Sequence, residues 1–201
     1  YAEDIKYPNV AGAFYPDNPQ ELSNTIDGFL GKANPEPVKG DIFALISPHA
    51  GYGYSVQTAA FGYKLIKNKP YKTVIVIGPS HYYPFTGVSV YPQGFFRTPL
   101  GDLEIDKEFT QKLLNPVRGK TPKVSDVPPF SGTASNGVNK DVEIVFIPQA
   151  FEKEHSVEVQ LPFLQKSLSG FKIVPVVMGD CTLSTCKKLA DLLKDAIGNR
   201  K

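Results

Sequence analysis

The sequence contains little cysteine, no tryptophan and no long hydrophobic run. Two cysteines among 201 residues are too few for a disulfide framework, and the spacing of Cys181 and Cys186 matches no common zinc-binding pair. No segment approaches the roughly 20 apolar residues that a membrane-spanning helix needs, and the first residues lack the apolar core of a signal peptide. These absences predict a cytoplasmic protein with no membrane partner.

A large excess of charge of either sign is also absent. The chain has 22 Lys and Arg residues, 20 Asp and Glu residues and a formal net charge of +2. Nucleic-acid binding depends on many phosphate contacts that release counterions, so this balance argues against a nucleic-acid partner. The hydrophobic fraction of 41% is that of an ordinary globular protein, and the length predicts a single domain over residues 1–201.

Short, β-branched apolar runs predict the strands. A run that does not alternate with polar residues is typical of a strand covered on both faces. Such runs occupy residues 42–46, 74–77, 144–147 and 173–178, with a weaker candidate at 88–91. Strands that alternate with helices predict an α/β fold with a central, mostly parallel sheet flanked by helices. A segment rich in Pro, Ser, Gly, Asn and Thr, residues 116–140, predicts a long surface loop.

Helices are indicated by capping residues and by apolar residues at helical spacing. Asn18 as N-cap, with Pro19 and Glu21 after it, predicts a helix that runs to about residue 30. The spacing of apolar residues predicts further helices around residues 56–63, 157–168 and 186–197. We expect Pro162 to kink the second of these, and Cys186 to belong to the buried stripe of the last.

Two of the three histidines directly follow predicted strands. His49 lies in the segment SPHAGY (residues 47–52), and His81 lies in GPSHYY (residues 78–83). Binding sites in open α/β sheets form at the carboxyl ends of the strands, and imidazole is the commonest ligand for borderline transition metals. A single loop histidine is more often a hydrogen-bonded structural group, but the shared placement favours a metal-binding pair.

The third histidine, His155, lies in the segment EHSVEVQ (residues 154–160). It is a candidate third ligand or proton carrier, with Glu154 as its carboxylate neighbour and Asp180 as a second candidate anion. Two imidazoles, an anionic ligand and open positions suit non-haem Fe(II) and O2 chemistry. Capping or packing at a helix start is an equal alternative for His155.

Tyrosines are frequent near the histidine motifs. Tyr52, Tyr54 and Tyr82 predict an aromatic-lined cleft for a phenolic or peptide ligand, with ordinary half-buried packing as the alternative. No phosphate loop, Rossmann glycine fingerprint or Gly-x-Ser-x-Gly elbow is present, which argues against nucleotide-dependent chemistry and elbow-type hydrolysis.

Five motifs, in this order, resemble the Memo family, also called AmmeMemoRadiSam system protein B. They are VAGAFYP, SPHAGY, GPSH, FRTPLG and EHSVEVQLPF, at residues 10–16, 47–52, 78–81, 96–101 and 154–163. That family is similar in fold to the class III extradiol dioxygenases of the LigB type, which are non-haem iron enzymes that open catechol rings. The resemblance implies a LigB-like sheet, a metal cleft built on His49 and His81, and an acid/base role for His155 beside Glu154.

The resemblance also implies that the sequence is incomplete at its C-terminal end. Members of the family continue into a segment with a Ser-Asp-Phe-x-His-like motif, which in the animal proteins supplies a cysteine as third metal ligand. No such motif follows Asp180 here. We therefore expect a third ligand to lie beyond Lys201.

Two functions follow from these observations. The first is a metal-dependent, dioxygenase-like oxidoreductase in which Fe(II), or copper, held by His49 and His81 acts with O2 on an aromatic diol or another small molecule while His155 carries a proton. The second is a non-catalytic adaptor that recognises a peptide or a tyrosine-containing partner in the same cleft, as the animal Memo proteins are described. Its basic group would be Arg97, which lies close in sequence to a motif. The family name implies radical-enzyme and AMMECR-type components as pathway partners.

Overall fold

A computed structural model describes residues 4–114 and 144–198. Its helices are α1 (Pro19–Lys32), α2 (Tyr52–Ile66), α3 (Lys107–Leu114), α4 (Gln149–Glu152), α5 (Leu161–Ser167) and α6 (Leu183–Ile197). Its strands are β1 (Ile5–Lys6), β2 (Thr73–Pro79), β3 (Val88–Val90), β4 (Phe95–Thr98), β5 (Gly101–Glu104), β6 (Ile144–Val145) and β7 (Lys172–Met178). None of the helices described is long and apolar enough to cross a membrane. The loop predicted over residues 116–140 lies outside the described residues.

The strands form two mixed sheets. One has the order β2-β7-β3-β6, with β2 parallel to β7, β3 antiparallel to β7, and β6 parallel to β3. The other has the order β1-β4-β5, with one parallel and one antiparallel pair. The α/β class is therefore confirmed, but the prediction of a mostly parallel sheet is wrong. The reason is that β3 runs back along β7 after the loop that carries His81.

Strand β7 is covered by helices on both faces. Ile173 and Val177 point into a core with α1, α2 and α5, whereas Val174 and Val176 point into a second core with α3 and α6. All four side chains are fully buried. Burial on both faces explains why this strand is apolar at successive positions instead of alternating.

Residues 42–46, expected to be the first buried strand, form no strand. Ile46 is 100% exposed and Phe43 is 85% exposed, while Ile42 and Leu45 pack against the core. An apolar run becomes a strand only where a neighbouring strand completes its backbone hydrogen bonds. Within the described residues β2 pairs on one side only, with β7, so the run has no partner there.

The exposure of Ile46 gives a testable contrast with a buried isoleucine. We expect Ile46→Thr to change the free energy of unfolding by less than about 0.5 kcal/mol, as exposed substitutions usually do. The same change at Ile173, which is fully buried in β7, should cost about 2–4 kcal/mol because it removes apolar contacts and buries a hydroxyl. Urea unfolding followed by circular dichroism measures both. Equal costs would contradict the exposure of Ile46 and show that its side chain is buried.

The predicted helices are present, with one difference in the third. The Asn18 side chain accepts a hydrogen bond from the Glu21 amide at the start of α1, as expected. Around residues 157–168, a short 3₁₀ turn (Glu158–Gln160) is followed by α5, which has Pro162 in its first turn. A proline there removes no helical hydrogen bond, so α5 begins at Leu161 with the proline in its first turn, and the predicted kink is wrong.

The last helix, α6, confirms the predicted element, and Leu189, Leu193 and Ile197 of the predicted stripe pack against the core, but Cys186 does not. Thr185, Leu189 and Ala196 are buried, whereas Cys186 is exposed. Neighbouring residues on a helix are about 100° apart, so Cys186 lies one step around the helix from the buried Thr185. The expected burial of Cys186 is therefore wrong.

Candidate metal centre

Three histidine rings lie next to one another. His49 lies just before α2, His81 follows β2, and His155 lies in the turn after α4. The ring centres are 5.2 Å apart for His49 and His81, 4.4 Å for His81 and His155, and 6.1 Å for His49 and His155. The structure thus brings together all the histidines that the sequence singled out. Their use as metal ligands remains a prediction.

A buried carboxylate holds the His81 loop. Glu154 is 5% exposed, and its Oε1 accepts hydrogen bonds from His81 Nδ1 at 2.9 Å, from the His155 amide at 2.9 Å and from the Ser156 amide at 2.8 Å. Its Oε2 accepts a bond from the His81 amide at 2.6 Å. Because an ionised carboxylate only accepts, the bond requires a proton on His81 Nδ1 and leaves the lone pair of a neutral ring on Nε2. Proteins orient metal-binding histidines in this way.

Burial and hydrogen bonding set the ionisation of the cluster. Burial alone would raise the pKa of Glu154, but hydrogen bonds from His81 and Ser156 outweigh it and lower that pKa, so the group is a carboxylate at neutral pH. Burial lowers the pKa of His49 and of His155; the neighbouring imidazoles add to this effect, and the charge of Glu154 opposes it. Both rings are therefore mainly neutral at pH 7, which is the form that binds metals.

His155 has a buried nitrogen without a hydrogen-bond partner. Within the described residues its Nδ1 finds none, because Glu154 Oε1 lies 3.6 Å away, beyond hydrogen-bonding distance. The ring packs against Phe14, at 4.7 Å between centres, and against the edge of Tyr82, at 5.8 Å. Buried polar atoms are nearly always satisfied, so this nitrogen fits a site that binds an additional group.

The donor set fits a borderline divalent transition metal. One ligand atom each from His81, Glu154 and His155 lies within 4.8 Å of the others. That group does not include His49, although its ring centre lies 5.2 Å from that of His81. Because Glu154 already accepts four hydrogen bonds, the imidazoles are better candidates for direct ligands, and the carboxylate is better suited to orienting them.

Polar side chains of residues 154–160 connect the cluster to other parts of the chain. The Ser156 hydroxyl donates to the Pro79 carbonyl at 2.9 Å, which joins the segment to the end of β2. Gln160 Nε2 donates to the Pro48 carbonyl at 2.9 Å, which joins it to the turn before α2. The segment therefore contacts both loops that carry the other histidines.

Glu158 connects the same segment to the N-terminal part of the chain. Its Oε1 accepts bonds from the Val10 amide at 3.0 Å and the Tyr15 hydroxyl at 2.7 Å, and its Oε2 accepts one from the Asn9 amide at 2.6 Å. The carboxylate is 4% exposed. These bonds fix the stretch that places Phe14 against the histidine cluster.

The supporting residues of this segment were missed by the sequence analysis, which gave roles only to Glu154 and His155. A signal was present, since polar and apolar residues alternate there, with Ser156, Glu158 and Gln160 at every second position. The structure shows that each of these polar side chains bonds a different backbone segment.

The predicted cleft tyrosines separate in the structure. Tyr82 is 54% exposed and lies beside His155. Tyr52 is buried, and its hydroxyl donates to the Val159 carbonyl at 2.9 Å, so the structure places it in the core, in line with the packing alternative. Tyr54 is 92% exposed on α2. Only Tyr82 is thus shown in ring contact with the histidines.

Of the two charged candidates, Arg97 is paired with another side chain, and Asp180 is not in the metal-capable group. Arg97 forms a two-point ion pair with Asp102, with both N–O distances 2.7 Å, and lies over the Tyr7 ring. The Asp180 amide donates to the Phe85 carbonyl, and the metal-capable group found among the described residues does not include Asp180. The structure therefore adds no support for Asp180 as a ligand.

Comparison with known proteins gives one consistent result. The family model described as "Memo-like protein" matches residues 6–201. A MEMO1 family protein of Methanobrevibacter smithii is 38% identical over 196 residues, covering 92% of this chain and 61% of that relative. The corresponding protein of Methanocaldococcus jannaschii is 37% identical over 189 residues, with 87% and 57% coverage. One from Thermoplasma acidophilum is 34% identical over 188 residues, with 92% and 60% coverage.

The chain thus spans 57–61% of the length of these relatives. The similarity covers nearly all of the present sequence, including every histidine of the cluster. The resemblance found in the five motifs is confirmed: the chain belongs to the Memo-like protein family.

Proposed function

We propose that this chain supplies the histidine part of a transition-metal centre in a dioxygenase-like oxidoreductase. The observation that carries the proposal is the group of three imidazoles, with ring centres 4.4–6.1 Å apart. Imidazole nitrogens with an oriented carboxylate suit iron and copper better than magnesium or calcium, which prefer oxygen ligands. We also propose that the chain has a LigB-like architecture and lies in the cytoplasm. Its proposed partners are radical-enzyme and AMMECR-type proteins.

His49 and His81 would hold the ion, and Fe(II) is proposed ahead of copper. When bound, the ion would supply redox chemistry with O2 on an electron-rich small molecule such as an aromatic diol. Glu154 would keep the His81 ring in one tautomer and orientation through its bond to Nδ1. Tyr82, exposed beside the cluster, would offer an aromatic surface to the substrate.

His155 is proposed as the residue that holds or moves a proton. Its ring lies 4.4 Å from that of His81, centre to centre, so it reaches the same space as the ligands. Its Nδ1 is not engaged by another described group, and burial keeps the imidazole mainly neutral, which allows it to accept a proton. Service as a third ligand is the alternative role.

Metal loading tests the proposal. The chain, purified and loaded with Fe(II) under anaerobic conditions, should retain about one ion, as a site of two or more imidazoles does, and should consume oxygen with a member of a catechol panel. Elemental analysis and an oxygen electrode measure both. The double variant His49→Ala/His81→Ala should lose the ion, whereas Asp180→Asn should keep it, because Asp180 belongs neither to the three neighbouring imidazoles nor to the metal-capable group of the described residues. Absence of both metal and oxygen uptake, in this chain and in the longer Methanobrevibacter smithii relative, would reject the proposal.

The adaptor alternative stays a prediction that the structure does not favour. Phosphate recognition would need a basic side chain directed at the ligand, whereas Arg97 is engaged by Asp102. Of the cleft tyrosines, only Tyr82 is shown in ring contact with the histidines. The metal site is therefore the better supported function.

A further inference from the structure

His49 and His81 are held by different means. The His81 ring has an orienting hydrogen bond to Glu154. In the described part of the chain, the His49 ring makes ring contacts with His81 and His155 but no side-chain hydrogen bond is found for it. Metal-binding histidines normally have such a partner. The hydrogen bonds that support His49 in the described residues are therefore those of the backbone around it.

Buried side chains bond the carbonyls of the residues before and after His49. Gln160 Nε2 donates to the Pro48 carbonyl at 2.9 Å, and the Ser55 hydroxyl donates to the Ala50 carbonyl at 2.8 Å. Gln160 is 8% exposed and Ser55 is 5% exposed. Both donors are thus buried while the bonds themselves are part-buried, and a buried polar group that loses its partner is costly.

The orientation of Gln160 is itself fixed. Its Oε1 accepts a hydrogen bond from the buried Tyr63 hydroxyl at 2.7 Å, and the Tyr63 ring stacks on Phe163 at 4.8 Å between centres. A backbone carbonyl can only accept, so the amide nitrogen of Gln160 must face Pro48. The donor is therefore held in place before any ligand binds.

We infer that Gln160 and Ser55 are positioning residues that hold the His49 backbone so that its ring can share an ion with His81. The inference rests on the proposed metal site and deepens it. A ligand placed by its backbone needs the chain fixed on both sides of it, and these bonds hold the peptide group just before His49 and the one that follows Ala50. Losing such an outer contact typically weakens metal binding about 10–100-fold.

Cobalt(II) titration tests this inference, because Co(II) reports its coordination through visible absorption. We expect Ser55→Ala and Gln160→Leu each to weaken Co(II) binding about 10-fold or more and to alter the absorption bands. The matched control is Gln165→Leu. Gln165 also accepts a bond from a hydroxyl, that of Thr98, and donates to a carbonyl, that of Gly101, but it lies away from the His49 turn. Its replacement should leave the titration unchanged.

The outcomes separate positioning from general stability. Ser55→Thr keeps the hydroxyl donor and should retain the wild-type affinity for Co(II) and the wild-type absorption. The comparison of Ser55→Ala with Ser55→Thr tests the inference even if Gln160→Leu is too unstable to purify. If Ser55→Ala binds Co(II) with unchanged affinity and spectrum while the wild type binds it, the inference is overturned and the proposed metal site stands. If the wild-type chain binds no Co(II), the inference is overturned together with the proposed metal site.

Discussion

Glu154→Gln is expected to weaken Co(II) binding about 100-fold, at the upper end of the effect of an outer hydrogen-bond partner. Glutamine has nearly the same size as glutamate, so the change tests hydrogen bonding rather than packing. The carboxylate accepts four bonds from N–H donors. An amide presents one oxygen and one NH2 group, and the NH2 group cannot accept.

Both orientations of the new amide disturb His81. With NH2 in place of Oε2, it faces the His81 amide, and the loop loses its anchor. With NH2 in place of Oε1, it faces His81 Nδ1 and two backbone amides, and the ring loses the bond that fixes its tautomer. The loss of charge weakens every remaining bond. The effect therefore does not depend on which orientation the side chain adopts.

Glu152→Gln is the matched control for this substitution. Glu152 lies two residues earlier and is exposed, so its replacement should leave the Co(II) affinity within the error of the titration. Calorimetry measures both variants, and circular dichroism checks that each is folded. A Glu154→Gln protein that is folded and binds Co(II) as tightly as the wild type would show that His81 does not depend on this carboxylate for metal binding.

The sequence predicted those strands and helices whose buried residues follow a pattern within the element itself. The β-branched run of β7 is apolar at every position because helices cover both of its faces, and that pattern is visible without a structure. Residues 42–46 carry the same pattern but remain unpaired within the described residues. Strand formation depends on a partner elsewhere in the chain, and no local pattern reports whether that partner is present.

The position of His49 was anticipated for a reason that the structure does not support. The prediction placed it at the end of a strand, yet no strand lies directly before it, between α1 and α2. The bonds from Gln160 and Ser55 to the flanking carbonyls account for its place instead. Gln160 lies more than a hundred residues away in the sequence, so spacing alone could not reveal this support. Sequence patterns give little information about the contacts that distant segments make in a site.

Glu158→Gln is expected to lower the free energy of unfolding by about 3 kcal/mol, because it disrupts a buried carboxylate with three donors. In its better orientation the new amide oxygen still accepts from Val10 and Tyr15, but its NH2 group faces the Asn9 amide. That part-buried donor then has lost its acceptor, and the other two bonds lose the strength that the charge gave them. Urea unfolding followed by circular dichroism gives the value.

Glu104→Gln is the appropriate comparison, because Glu104 is an exposed carboxylate paired with the exposed Lys172. Exposed ion pairs contribute less than about 1 kcal/mol, so this variant should unfold nearly as the wild type does. A Glu158→Gln cost as small as that of Glu104→Gln would mean that the N-terminal segment is not fixed by the carboxylate. Phe14 would then need another anchor beside His155, and hydrophobic packing of that segment against the core would be the remaining source of its order.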